Sequence, residues 1–157
     1  MDLSDANLYT LLRSRFPTDL GTTAIETPAG LYYTWRDLER ASGRMANWLA
    51  SLGIAPGARV AVQVEKSPEV LMLYLACLRA GLVYVPLNTA YQRGELEYFL
   101  SDAQPALVVC DPVREAEIAP LARAAGARIA TLGESREGSL LAQAASHADE
   151  FATVRGY

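Results

Sequence analysis

Leu78-Arg79-Ala80-Gly81-Leu82-Val83-Tyr84-Val85-Pro86-Leu87-Asn88 is the stretch whose reading decides the fold. An apolar helix stops at a glycine, which tolerates the left-handed backbone that closes a helix. A short β-rich run follows, and Pro86 ends it by removing a ladder donor. Upstream, Ser67-Pro68-Glu69 opens that helix with a cap, a first-turn proline and an acid against the dipole. Its body, Val70 to Leu78, is apolar all round, which predicts burial on most sides. Arg59 to Val64 precedes it as a strand. Downstream come a helix over Glu95 to Ala103, a strand over Ala106 to Cys110 and a helix over Pro112 to Ala125 stopped by Gly126. A strand over Arg128 to Leu132 and an alanine-rich helix over Ser139 to Ala148 complete the series. Strands alternating with helices predict an α/β fold, a largely parallel sheet flanked by helices.

The amino-terminal third differs. Asn7 to Phe16 reads as a short helix. Thr22 to Glu26 and Leu31 to Thr34 flank the turn Pro28-Ala29-Gly30 and read as a hairpin. Thr34-x-x-Asp37 has capping-box form, and Leu38, Ala41, Met45, Trp48, Leu49 and Leu52 then recur at helical spacing up to Gly53. Glu134 to Gly138 reads as a surface loop, and Phe151 to Tyr157 as an unpacked end, as at a linker.

The chain has 157 residues, enough for one core, and is 51% hydrophobic and 20% charged, which places it among globular rather than disordered sequences. A net charge of -4 with no Lys/Arg block argues against a nucleic-acid surface. The longest apolar run falls well short of the ~20 residues a membrane span needs. Met1 to Asp5 is polar and acidic, unlike a secretory signal, so a cytoplasmic location is expected. Cys77 and Cys110 lie deep in apolar sequence and suit core positions better than a disulfide or a nucleophile. Lys66 and His147 are the sole lysine and histidine, and one histidine with two scattered cysteines gives no metal-ligand spacing.

Neither G-x-G-x-x-G nor a Walker sequence occurs, which disfavours a stand-alone nucleotide-binding domain. Asn88 to Arg93 follows the carboxyl end of a parallel strand, where ligands collect in open α/β sheets. Arg93 is therefore the candidate ligand-facing residue, for example toward a phosphate. The plainer reading is a strand-to-helix loop. Val64 to Ser67 also lies at a strand end, but capping explains Ser67 and solvent explains Lys66.

The pattern L-x-A-G-x-x-Y-x-P-L-N of the opening stretch resembles a signature of the acyl-adenylate-forming enzymes: acyl-CoA synthetases, peptide-synthetase adenylation domains and luciferases. Thr34-Trp35-Arg36-Asp37-Leu38, Pro56-Gly57-Ala58-Arg59-Val60-Ala61 and Glu95-Leu96-Glu97-Tyr98-Phe99-Leu100 resemble further elements of that superfamily, in order. Ala58 stands where an acid is usual. Val62 to Glu69, Tyr84 to Tyr91, Val108 to Pro112 and Phe151-Ala152-Thr153 together resemble bacterial malonyl-CoA synthetases. The resemblance implies a single partial domain over residues 1 to 157, the amino-terminal part of the large domain of an acyl-CoA synthetase. It implies a parent that uses ATP, Mg²⁺ and CoA to make malonyl-CoA, AMP and pyrophosphate. The superfamily's phosphate loop, metal-binding Thr-Glu motif, ribose-binding acid and catalytic lysine have no match in this sequence, so no catalytic or metal-binding residue is carried over and the chain alone is expected to be inactive. The loop ending at Arg93 would lie near the CoA channel. The expected partners are the remainder of a ligase, or a second copy met through an exposed apolar face. The alternatives are a non-catalytic paralogue acting as an interaction module and a fragment of an amino-acid adenylation domain.

Overall fold

A computed structural model describes residues 6–155 of the chain. The acidic start read above, Met1 to Asp5, and the last two residues lie outside the described residues. Helix α1 (Leu8–Arg13) starts at Asn7, whose side chain accepts from the Tyr9 amide. Strands β1 (Thr23–Glu26) and β2 (Tyr32–Thr34) pair antiparallel as the expected hairpin. Helix α2 (Trp35–Ser51) begins at the capping box: Asp37 N–H donates to Thr34 Oγ1 at 3.1 Å, and Thr34 N–H donates to the Asp37 carboxylate at 2.8 Å.

Four strands then alternate with helices: β3 (Arg59–Gln63), α3 (Pro68–Arg79), β4 (Val83–Pro86), α4 (Arg93–Ala103), β5 (Leu107–Cys110), α5 (Glu115–Ala124), β6 (Arg128–Thr131) and α6 (Ser139–Ala144). The strands form one parallel sheet in the order β4-β3-β5-β6. Side chains alternate across it as strand geometry requires. Val60, Val62, Leu107, Val109 and Ala130 face a core shared with α2 and α3; Ala61, Val108, Cys110 and Ile129 face a second core with α4 and α5. With both faces covered, β3 and β5 read as near-continuous apolar runs.

Helix α3 is buried on most sides, as expected: only Leu71 is exposed, at 41%, and Val70, Tyr74 and Leu78 are half-buried. The helix packs on the sheet, α1 and α2 and leaves one stripe outward. Two expectations are corrected. The segment after β5 is a 3₁₀ turn (Pro112–Arg114) before α5, because the Asp111 carboxylate caps it by accepting from Val113 N–H at 2.9 Å.

The second correction is larger. Helix α6 ends at Ala144 rather than Ala148, and residues 145 to 154 form a docked strap rather than an unpacked end. Arg44 donates to the carbonyls of Ala145 and His147, and Asn47 to those of Ala148 and Glu150. Val154 N–H donates to Arg79 O, and Asn7 Nδ2 bridges the carbonyls of Leu78 and Val154. These side-chain donors satisfy carbonyls that a continued helix would have paired internally.

Candidate functional site at the sheet's switch point

The strand order fixes where a ligand could enter. From β3 the chain crosses to β4 over the face that carries α2 and α3. From β5 it crosses to β6 over the face that carries α4 and α5. The connections leaving the carboxyl ends of β3 and β5 thus diverge, and a crevice opens between them. It has a volume of about 170 Å³ and is lined by Gln63, Val64 and Glu65 after β3, Thr89 after β4, and Asp111, Val113 and Arg114 after β5.

Gln63 organises this end of the sheet. It closes β3 and is 3% exposed. Its Nε2 donates to the carbonyls of Asn88 at 2.8 Å and Tyr91 at 3.2 Å. Its Oε1 accepts from Arg114 Nη1 at 2.8 Å, and the same nitrogen reaches Tyr91 O at 3.0 Å. The rest of the Arg114 fork donates to the Glu117 carboxylate, which also pairs its charge. The Asn88 carboxamide oxygen accepts from Ala90 N–H, and the Tyr91 ring stacks on Phe99 at 4.9 Å. The loop from Asn88 to Gln92 is therefore fixed by three long-range side-chain bonds and one ring contact.

Arg93 stands at the first turn of α4, exposed, with no hydrogen bond or ion pair among the described residues. The helix starts two residues earlier than the sequence suggested, because Glu95 accepts from the Gln92 amide and extends the first turn. Arg93 thus flanks the fixed loop without being tied to it. Lys66 is exposed after β3, as expected. Cys110 ends β5 wholly buried, where burial and then the nearby Glu115 and Asp111 push its thiol up to about 12; Cys77 is pushed to about 12 by burial alone. Both stay protonated at neutral pH. Gln63 and Arg114 were not singled out from the sequence. The available signals were a polar residue closing an apolar strand and an i,i+3 Arg/Glu pair after a turn.

The residues present do not fit a magnesium polyphosphate. Glu65 and Asp111 line the crevice, its one arginine is paired, and no group of three or more metal-ligating side chains occurs among the described residues.

Known proteins share this fold and sequence. MatB from Rhodopseudomonas palustris, solved both without ligand and with ATP bound, superposes with a TM-score of 0.92 and 46% identity over 98% of this chain and 30% of its own. The medium-chain fatty-acid–CoA ligase of Escherichia coli is 39% identical over 75 residues, 48% of this chain and 13% of that protein. Bacitracin synthase 3 of Bacillus licheniformis is 33% identical over 78 residues, 50% of this chain and 1% of that protein. The chain thus spans less than a third of the length of each of these relatives. The family model described as AMP-binding enzyme matches residues 17–154, from the loop after α1 to the end of the strap, so the chain belongs to the AMP-binding enzyme family.

Proposed function

We infer that this chain is the amino-terminal part of the large domain of an ATP-dependent malonyl-CoA synthetase and that it is inactive alone. The observation that carries the reading is the 46% identity to MatB, a malonyl-CoA synthetase, sustained over 98% of the chain. The reaction has two displacements. A malonate carboxylate oxygen bonds to the α-phosphorus of ATP and pyrophosphate leaves; the CoA sulfur then bonds to the acyl carbon and AMP leaves. Both need dense positive charge on phosphate oxygens. This net-acidic chain, with one lysine, supplies none at its crevice. Its contribution is a rigid wall: the loop held by Gln63 and Arg114, with Arg93 beside it on the side where CoA would approach. The partners are the remainder of such a ligase and its small-molecule substrates, in the cytoplasm.

Two replacements test this. Residues 1–157 are exchanged for the matching segment of MatB, and separately of the E. coli fatty-acid ligase. The MatB replacement is expected to form malonyl-CoA, and the fatty-acid ligase replacement to be poorly active with its own acids. A folded but inactive MatB replacement sinks the reading, and equal function in both hosts sinks its malonate branch. In the active replacement, Arg93→Ala is expected to raise KM for CoA several-fold and leave KM for malonate and ATP unchanged. The isolated chain, given malonate, ATP, Mg²⁺ and CoA, is expected to form no malonyl-CoA.

A further inference from the structure

A second cavity, of about 370 Å³, opens on the other side of the β3–α3 connection, between the hairpin, the start of α3 and the loop after β6. Its size falls within the range of small-molecule sites. At its floor lies Glu69, 4% exposed. One carboxylate oxygen accepts from the Tyr33 hydroxyl at 2.6 Å. Burial and then that hydrogen bond push the Tyr33 phenol above its ordinary value near 10, so it remains the donor and Glu69 the acceptor. The nearest cation is Arg136, with Nε 4.0 Å from the same oxygen, too far for a hydrogen bond.

A carboxylate has room for several donors, and among the described residues Glu69 accepts a single hydrogen bond, from Tyr33. At the mouth, Lys66, Arg136 and the carboxylate of Glu134 are exposed; Lys66 has no polar partner among the described residues, and Arg136 reaches Glu69 only loosely and also meets the Tyr33 hydroxyl. Leu31 and Pro68 give the cavity an apolar wall. Arg136 also sits at φ +70°, a left-handed conformation that a non-glycine residue adopts at a cost of order 1 kcal/mol or more. The tight turn fixes it there: Ser135 N–H donates to the Glu137 carboxylate, and Gly133 N–H to Glu137 O.

We propose that this cavity binds a small apolar α-amino acid, its ammonium on Glu69 and its carboxylate between Arg136 and Lys66. Ammonium and carboxylate lie side by side on one carbon in such a ligand, which matches a buried anion and an exposed cation 4.0 Å apart with the Tyr33 hydroxyl beside both. An anion alone would face Glu69, and a cation alone would face Lys66 and Arg136; the zwitterion satisfies both ends. The inference rests on no part of the ligase reading.

The experiment is calorimetric titration of the 157-residue chain with L-leucine, with 4-methylpentanoate, which lacks the ammonium, and with 3-methylbutylamine, which lacks the carboxylate. Leucine is expected to bind, and each analogue at least about ten-fold more weakly, the scale of one charge-assisted hydrogen bond. Glu69→Gln is expected to weaken leucine binding by a similar factor with the circular dichroism spectrum unchanged. If that variant does not fold, Arg136→Gln, at an exposed side chain, is read instead. No heat with leucine at millimolar concentration overturns the proposal. So does equal binding of the ammonium-free analogue, which would make the mouth a mere collector of anions, or unchanged leucine binding in the variant that is read.

Discussion

Gln63 turns the end of a buried strand into the anchor of a loop. Its carboxamide is wholly used: both carbonyls it serves belong to the Asn88–Gln92 loop, and its oxygen holds Arg114. Gln63→Ala would strand those carbonyls and leave Arg114 short of an acceptor. The expected cost is about 2 kcal/mol in urea denaturation, with faster amide exchange confined first to residues 88 to 92. A uniform rise in exchange would show that the loop has no separate anchor. Arg114→Lys should lose most of the same stability, since an ammonium cannot span Gln63, Tyr91 and Glu117 at once. The two thiols give a pH prediction. Each ionises near 9 when unfolded and is pushed up to about 12 when folded, so the native state holds those protons more tightly. The resulting stability is fully present below pH 9 and is lost as pH rises from 9 toward 12. Native protein should resist iodoacetamide at pH 8.5 and react only after denaturant is added; rapid alkylation of folded protein would contradict the burial of Cys77 and Cys110.

At the scale of elements, Arg79 ties four segments together. It sits at the end of α3, 5% exposed, with no carboxylate in contact. Its Nη1 donates to Glu39 O at 2.6 Å and Ser42 Oγ at 2.9 Å on α2, its Nη2 to Phe151 O at 2.8 Å on the strap, and its guanidinium lies 4.6 Å over the Tyr9 ring of α1. Burial lowers its pKa, but guanidinium remains charged throughout the accessible pH range. Arg79→Met should therefore cost about 2–4 kcal/mol by leaving buried carbonyls unpaired, and Arg79→Lys should not rescue it. Gly43 is the matching device on α2, because any side chain there would overlap the Asp149 carbonyl. Gly43→Ala should lift the strap and bring proteolytic cleavage between residues 145 and 154 while the sheet stays intact; an unchanged digest would show that the strap is not held at this point. The βα alternation, the N-terminal caps of α2 and α3, and the hairpin were legible in sequence because each depends on neighbours within about a dozen residues. The strap was not. It has no periodicity, and its bonds join residues 101 to 103 positions apart through polar side chains that read as solvated helix surface. Arg79 was quoted within a motif, yet nothing local distinguishes an arginine that snorkels to water from one that closes a core.

The whole molecule has one face that its own elements do not finish. α1 lies across α3, and between them and the start of α2 runs an apolar groove of about 250 Å³, lined by Leu12, Phe16, Trp35, Leu38, Leu71 and Leu75, with Arg15 the only charge. Leu8 and Leu11 extend it outward on α1. The expectation of an open apolar face came from the resemblance, but its place was not legible, because the apolar run of α3 gave no clue to which side the sheet would take. The same limit applied to the crevice: the loop after β4 could be read as a candidate ligand-facing segment or as a plain strand-to-helix loop, whereas the residues that hold it required the β3–β5 pairing to be known. The groove is a continuous apolar surface, and such patches drive association when no partner domain shields them. Sedimentation or light scattering of the isolated chain should show mass rising with concentration over the micromolar range. Leu71→Glu, at an outward position of α3, should shift the population toward monomer with little change in Tm, since the wild-type side chain is already 41% in solvent. A monodisperse wild-type monomer up to about 100 μM, where contacts worth more than roughly 5–6 kcal/mol would already be populated, would mean that the groove is too shallow to hold a second copy.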